Sequence, residues 1–156
     1  MSATLVPSLF SAATKRMSRV KPTPIHWGFW LVGGFAVIWN ALGGVNFYMQ
    51  LTFADLSFMP EWWQNVAQSR PDWATGAMAV GVFGGVLGGV LLLLKKRAAY
   101  YVFIFSLVGT LVTLSHAIGI DGAGPRQIFE GLIMPLAVAF ALIFYTKLAI
   151  NKRWLS

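Results

Sequence analysis

Four polar residues sit in long apolar stretches of this sequence, where each calls for a reason. Asn46 and Gln50 are four apart, so on a helix they share a face. His116 and Glu130 are an ionisable pair. Glu130 can titrate, and an imidazole can carry or share the proton near neutral pH. Placed together, the four would form a polar pocket able to hold a small molecule or a proton. Asn40 adds a fifth polar group, deeper in its stretch. For Asn46 and Gln50 alone, the plainer reading is a mutual hydrogen bond that satisfies packing. For His116 with Glu130, the functional and the packing readings stand side by side.

Other chemistries fall away. The chain has no cysteine, which excludes disulfides, thiolate catalysis and Cys-ligated metals. His26 and His116 fall at opposite ends of the apolar stretches, too far apart to share a metal or a haem. There is no HExxH, CxxCH or paired-carboxylate motif. Ser115 and His116, followed by Asp121, are no triad, because adjacent helix residues do not face each other. The expectation is a protein that is not an enzyme and carries no cofactor or metal.

The elements that must position these groups follow from composition. Of 156 residues, 57% are hydrophobic and 11% charged, against about 25% charged in soluble domains. A bilayer is the solvent that accommodates such a chain. A spanning helix needs about 20 mostly apolar residues. Four windows qualify, over about residues 27–51, 73–94, 98–120 and 128–150. Trp27, Trp30, Trp73, Tyr100, Tyr101 and Tyr145 fall near their ends, as amphipathic rings at a water boundary do.

Charge orients the windows. Lys15, Arg16, Arg19, Lys21, Lys95, Lys96, Arg97, Lys147, Lys152 and Arg153 all fall on one side, ten of the twelve basic residues. The other side holds Asp55, Glu61, Asp72, Asp121 and Glu130, with only Arg70 and Arg126. Lys and Arg resist translocation, so the basic side is expected in the cytoplasm. The expected fold is therefore all-α: a polytopic four-helix transmembrane bundle with both termini inside, in a bacterial inner membrane. The net charge of +7 is an orientation signal that also suits anionic lipid. Nucleic-acid binding is not expected, because the basic residues are scattered over three short segments with no recognition motif. In this arrangement Asn46, Gln50, His116 and Glu130 all fall within about 10 Å of the outer boundary.

Residues 1–24 read as a flexible cytoplasmic tail, closed by Pro22 and Pro24, ahead of a single transmembrane domain over residues 25–156. The tail's charges follow its apolar run, the reverse of a secretory signal. Leu5, Val6, Leu9, Phe10 and Ala13 suit one side of a short surface helix, and Met17 is an alternative start. The outer loop, residues 52–72, is the one sizeable segment between spans. Pro60-Glu61 suits the opening of a short interfacial helix with Trp62, Trp63 and Val66 on its apolar side. Asp72 suits the N-cap of the second span. Residues 121–125, Asp-Gly-Ala-Gly-Pro, make a tight turn.

Small residues mark how the helices approach. In lipid, apolar side chains gain little by meeting each other, so close packing relies on small residues and hydrogen bonds. Ala77, Gly81, Gly85 and Gly89 recur every four residues, and Gly84 and Gly88 extend the row. This double GxxxG run suits packing against the first or third span; the alternative is a dimerisation face. The third span carries Ser106, Gly109, Thr110, Thr113 and Ala117 on one side. In the fourth, Pro135 predicts irregular geometry over residues 130–135.

The first two spans carry a family resemblance. Trp39-Asn40-Ala41-Leu42-Gly43-Gly44-Val45-Asn46-Phe47, then Pro71-Asp72-Trp73, then Gly84-Gly85-Val86-Leu87-Gly88 and Leu94-Lys95-Lys96-Arg97-Ala98 resemble small bacterial four-span inner-membrane proteins loosely labelled sugar transporters. The arrangement is also broadly similar to DoxX-like four-helix membrane proteins. The resemblance covers about residues 27–115 and implies no established mechanism. The family pattern has an Asp-Tyr pair where this chain has Asn46-Phe47, so a proton-coupled role through that position loses its charge here.

Two classes of function remain. One is an accessory, structural or small-molecule-binding membrane component, docked on a larger complex through its glycine face where it has a partner. The alternative is a small-molecule, sugar-like transporter. Four spans are few for a transport path, so that reading requires at least a homodimer. No convincing internal repeat supports it.

Overall fold

The computed structural model describes residues 24–53 and 55–156. The expected tail, with the apolar side formed by Leu5 to Ala13, lies outside the described residues except for Pro24. Five helices make up the fold: α1 (Gly28–Thr52), α2 (Glu61–Gln68), α3 (Asp72–Leu93), α4 (Ala98–Ile118) and α5 (Pro125–Asn151). No strand occurs among the described residues. All but α2 are long and apolar enough to cross a membrane. Leu31, Phe35, Ile38, Leu87, Phe105 and Phe144 turn outward from the bundle. A helix that is apolar all round needs lipid or protein on every side. The short α2 differs: Trp62 and Val66 are buried while Glu61, Asn65 and Gln68 are exposed.

Boundaries shift where caps decide them. Asp72 is the first helical residue of α3, not its N-cap, which is Pro71. Its carboxylate still lies in the first turn, where the helix dipole favours it. The fourth span begins at Pro125, earlier than the apolar run suggests, because a proline following extended Gly124 is preorganised for a first turn. The third ends at Ile118, with Gly119 as C-cap.

Helix α1 packs on α3, α3 on α4, and α4 on α5. The glycine row makes this possible and serves two partners. A Cβ at Gly81 would meet Thr110 and Gly109, one at Gly84 would meet Ser106, and one at Gly88 would meet Phe103, all on α4. Gly85 instead faces Asn40, and Gly89 faces Val37 and Ala36, on α1. The Ala77 carbonyl completes the α4 contact, lying where a side chain on Gly109 would have to go. The small-residue face is thus occupied within the chain, by two neighbours.

The irregular turn in α5 has a local cause. Phe129–Ile133 is a π-helical turn, and the Met134 N–H bonds to the Phe129 carbonyl, five residues back. Pro135 follows at once. Its ring conflicts with a normal α-turn at the carbonyl of Gly131, and the widened turn relieves that conflict. The irregularity overlaps the stretch over residues 130–135 that Pro135 marks in the sequence and begins one residue earlier, at Phe129.

Two packed clusters close the ends. At the basic end, that of Lys95 to Arg97, the core holds Phe29, Ala36, Leu92, Ala99, Phe103, Leu142, Ala149 and Leu155. At the opposite, acidic end, Trp62, Val66 and Ala117 are buried, with Trp63, Ile120, Ala123 and Leu132 against them. The C-terminal residues join the basic end by backbone pairing: Arg97 N–H donates to Ser156 O at 3.1 Å, and Ser156 N–H to Lys95 O at 2.8 Å.

Candidate functional site

Between these clusters lies a cavity of about 640 Å³, within the range of about 300–1,000 Å³ that holds small molecules. Helix α1 lines it with Trp39, Asn40, Gly43, Asn46 and Gln50, one face at helical spacing. From α4 come Phe103, Ser106, Thr110, Thr113 and Leu114. Gly131, Pro135 and Leu142 line it from α5. Phe103 and Leu142 also belong to the basic-end core, so that core forms the floor. The roof is α2 and its flanking segments, with Phe58, Met59, Trp63 and Arg70.

Local chemistry fixes the roof. The Trp62 indole N–H donates to the Ile120 carbonyl at 3.0 Å, tying α2 to the end of α4. Trp63 lies over Gly131 in the π-turn. Gln64 Nε2 donates to Met59 O at 2.8 Å, which holds the loop against α2.

The hydroxyls on α4 are satisfied by backbone carbonyls. Ser106 Oγ donates to the Gly81 carbonyl on α3. Thr113 Oγ1 donates to Gly109 O at 2.9 Å and reaches Ala74 O at 3.5 Å. Thr110 Oγ1 donates to Ser106 O at 3.0 Å. Their protons are committed, so these oxygens offer the cavity only acceptor capacity. Asn40 donates to Ala36 O at 2.8 Å, leaving its amide oxygen against Gly85.

The structure brings Asn40, Asn46, Gln50 and Glu130 to the wall of one cavity and leaves His116 out of it. The His116 ring meets Trp73 edge to face at 6.2 Å, and its Nε2 lies 3.5 Å from Ser69 Oγ. Glu130 is held by Arg126, Nε to Oε1 at 2.8 Å. Among the described residues, His116 and Glu130 make no hydrogen bond or ion pair with each other. No group of three metal-ligating side chains comes together among the described residues.

Sequence reasoning missed Arg70. Gln50 Nε2 donates to Asn46 Oδ1, and Arg70 Nη2 donates to Gln50 Oε1. The polar face of α1 therefore continues into a guanidinium from the α2–α3 connection. Arg70 Nε is buried with no hydrogen-bond partner. Such a group costs about 1–3 kcal/mol. No carboxylate lies within ion-pair distance of Arg70; Arg126–Glu130 is the only such pair among the described residues. Burial draws the Arg70 pKa below the ordinary guanidinium value. Arginine nevertheless remains charged at any physiological pH. The available signal was positional: Arg70 is one of only two cations on the acidic side.

Compared with family models, curated proteins and solved structures, the chain matches none. The reading of the site therefore rests on its own geometry.

Proposed function

We propose that this protein is a small-molecule-binding membrane component whose cavity faces the outside of a bacterial inner membrane. The observation that carries this reading is the cavity itself. The apolar helices surround a half-open space lined by Asn40, Asn46, Gln50 and Arg70, with the basic-end core as its floor and α2 as its roof. Polar groups are expensive at such depth, and a ligand gives them a purpose. The orientation follows the charge asymmetry, with the basic end in the cytoplasm. The glycine row is used by α1 and α4, so any partner subunit would dock elsewhere. Transport by a homo-oligomer is the second reading. It would require Phe29, Phe103 and Leu142 to part, since they block the basic end.

Native mass spectrometry of protein released from a neutral detergent tests the cavity. A panel of small amphiphiles is expected to give a saturable one-to-one adduct. Ala139 lines the cavity, so A139F fills it. Loss of the adduct in A139F, with thermal stability kept, supports the reading. Equal adducts in both proteins, or none at all, overturn it.

A further inference from the structure

Resting on the cavity reading above, we infer that the ligand is an amphipathic anion, with a carboxylate- or phosphate-type oxyanion bound at Arg70 and an apolar body lying in the cavity. The argument begins with what Arg70 lacks. A guanidinium has five N–H donors in a rigid planar fork. Among the described residues, its one hydrogen bond to a side chain is Nη2 to Gln50. Its Nε is buried, unbonded and closed off from the cavity, which leaves the Nη1–Nη2 end of the fork to meet an anion. Carboxylates and phosphates match that fork with two parallel hydrogen bonds.

Among the described residues, none supplies Arg70 with a counterion. Glu130 is the acid on the cavity wall, and its carboxylate is engaged by Arg126 at 2.8 Å. Asp72, two residues from Arg70, is exposed and makes no ion pair. An interfacial arginine that merely anchors the chain would extend its head toward water and lipid headgroups. Arg70 does the opposite. Its head turns toward α1, tethered by Gln50, which is in turn bonded to Asn46. The charge is held at the wall of the cavity and left unanswered.

The remainder of the wall describes the ligand's other part. Trp63, Phe58 and Met78 surround the space on the Arg70 side, and Phe103 and Leu142 close it below. The hydroxyls on α4 have committed their protons to carbonyls, so they do not compete as donors for an anion. A fully polar ligand would leave the apolar wall unmatched. A neutral apolar one would leave the guanidinium unmatched. An oxyanion on a hydrocarbon body satisfies both.

Two sources offer this chemistry: a free amphiphile, or the headgroup of an anionic membrane lipid. Native mass spectrometry separates them, using dodecanoate and dodecanol in neutral detergent, and nanodiscs of phosphatidylglycerol or phosphatidylcholine. The expected result is that dodecanoate, or phosphatidylglycerol, binds at least tenfold more tightly than its neutral counterpart. R70Q is expected to abolish that preference, bringing dodecanoate binding down to the level of dodecanol. Dodecanoate binding alone identifies a free amphiphile, and phosphatidylglycerol retention alone identifies a lipid; either supports the inference. Equal binding of charged and neutral probes by the native protein overturns it, and that comparison needs no variant to fold. Equal loss of both probes in R70Q also overturns it, by making Arg70 a structural residue. In both cases an adduct that A139F removes leaves the cavity reading standing, whereas an adduct indifferent to A139F defeats that reading as well.

Discussion

The indole of Trp63 lies so close over Gly131 that a Cβ on the glycine would stand 2.2 Å from the ring's Cζ2. The contact joins the roof helix to the π-turn of α5, and it exists because position 131 has no side chain. A large planar ring wedged against a helix cannot yield as a flexible chain end can. G131A is expected to destabilise the protein by about 1–3 kcal/mol, the usual range for overpacking. In a W63A background the same change should be nearly neutral. Unfolding in mixed micelles across the four-protein cycle measures the coupling. Additive effects would show that roof and π-turn are energetically independent.

The glycines of the bundle divide by what surrounds them. A Cβ at Gly109 would come within 2.7 Å of the Ala77 carbonyl oxygen and the Gly81 nitrogen, both backbone atoms. Helix α4 would have to move away from α3, taking with it the bond from Ser106 to Gly81. At Gly76 a Cβ meets nothing within 4 Å. G109A should therefore destabilise by more than about 1 kcal/mol through overpacking. G76A should be neutral or stabilising by up to about 1 kcal/mol from helix propensity. S106A should cost only about 0.6 kcal/mol, since interhelical hydrogen bonds in membranes average that much. The same unfolding assay ranks the three. A larger loss in S106A than in G109A would mean that hydrogen bonding, not close approach, holds α3 to α4.

What the sequence discloses here, and what it conceals, has a physical pattern. Span positions are legible because bilayer thickness sets a length and apolar runs meet it. Pro135 disclosed the irregular turn because its missing N–H acts locally. Asn46 and Gln50 were legible as neighbours because helical spacing alone pairs them. The division of the glycine row between α1 and α4 was not, because a row's partner depends on how three helices are arranged. The sequence reading puts His116 and Glu130 at a similar distance from the outer ends of their spans. They do not share a direction, which only the packing of Trp73 and Ser69 on His116 decides. Arg70 was concealed for the same reason: a residue between two helices has no periodicity to say where it points.

Two helix ends place a basic residue in the left-handed conformation, Lys95 at φ 59° and Arg153 at φ 57°. Each end has Schellman-type bonding. Lys96 N–H reaches Leu91 O at 2.9 Å, and Trp154 N–H reaches Ala149 O at 3.0 Å. Glycine avoids the roughly 1–2 kcal/mol that L residues incur there. R153G is expected to stabilise by about 1 kcal/mol. K95G should gain less, because the Lys95 ammonium lies 5.4 Å from the Trp30 ring centroid and that contact contributes about 0.5–1 kcal/mol. Thermal unfolding of the two variants compares them. A greater gain in K95G would show that the contact with Trp30 contributes nothing.

Gln50 and His116 offer the sharpest separation between cavity and periphery. Gln50 accepts the Arg70 hydrogen bond and donates to Asn46. His116 stands outside the cavity, against Trp73 and Ser69. Q50A removes the one side-chain acceptor that fixes the guanidinium. The variant should lose about 1 kcal/mol of stability, because a partly buried charged donor loses its protein acceptor. A bound oxyanion would restore part of that loss, since a ligand that binds only the folded state stabilises it. Because Gln50 holds the guanidinium at the cavity wall, the rise in melting temperature with dodecanoate should be smaller in Q50A than in the native protein. H116A, by contrast, should loosen the junction of α2 and α3 and leave the dodecanoate response within about twofold, since no cavity group depends on it. If H116A abolished the response while Q50A kept it unchanged, the working groups would lie on the Trp73 side of α4, and the chain of bonds from Asn46 to Arg70 would be packing alone.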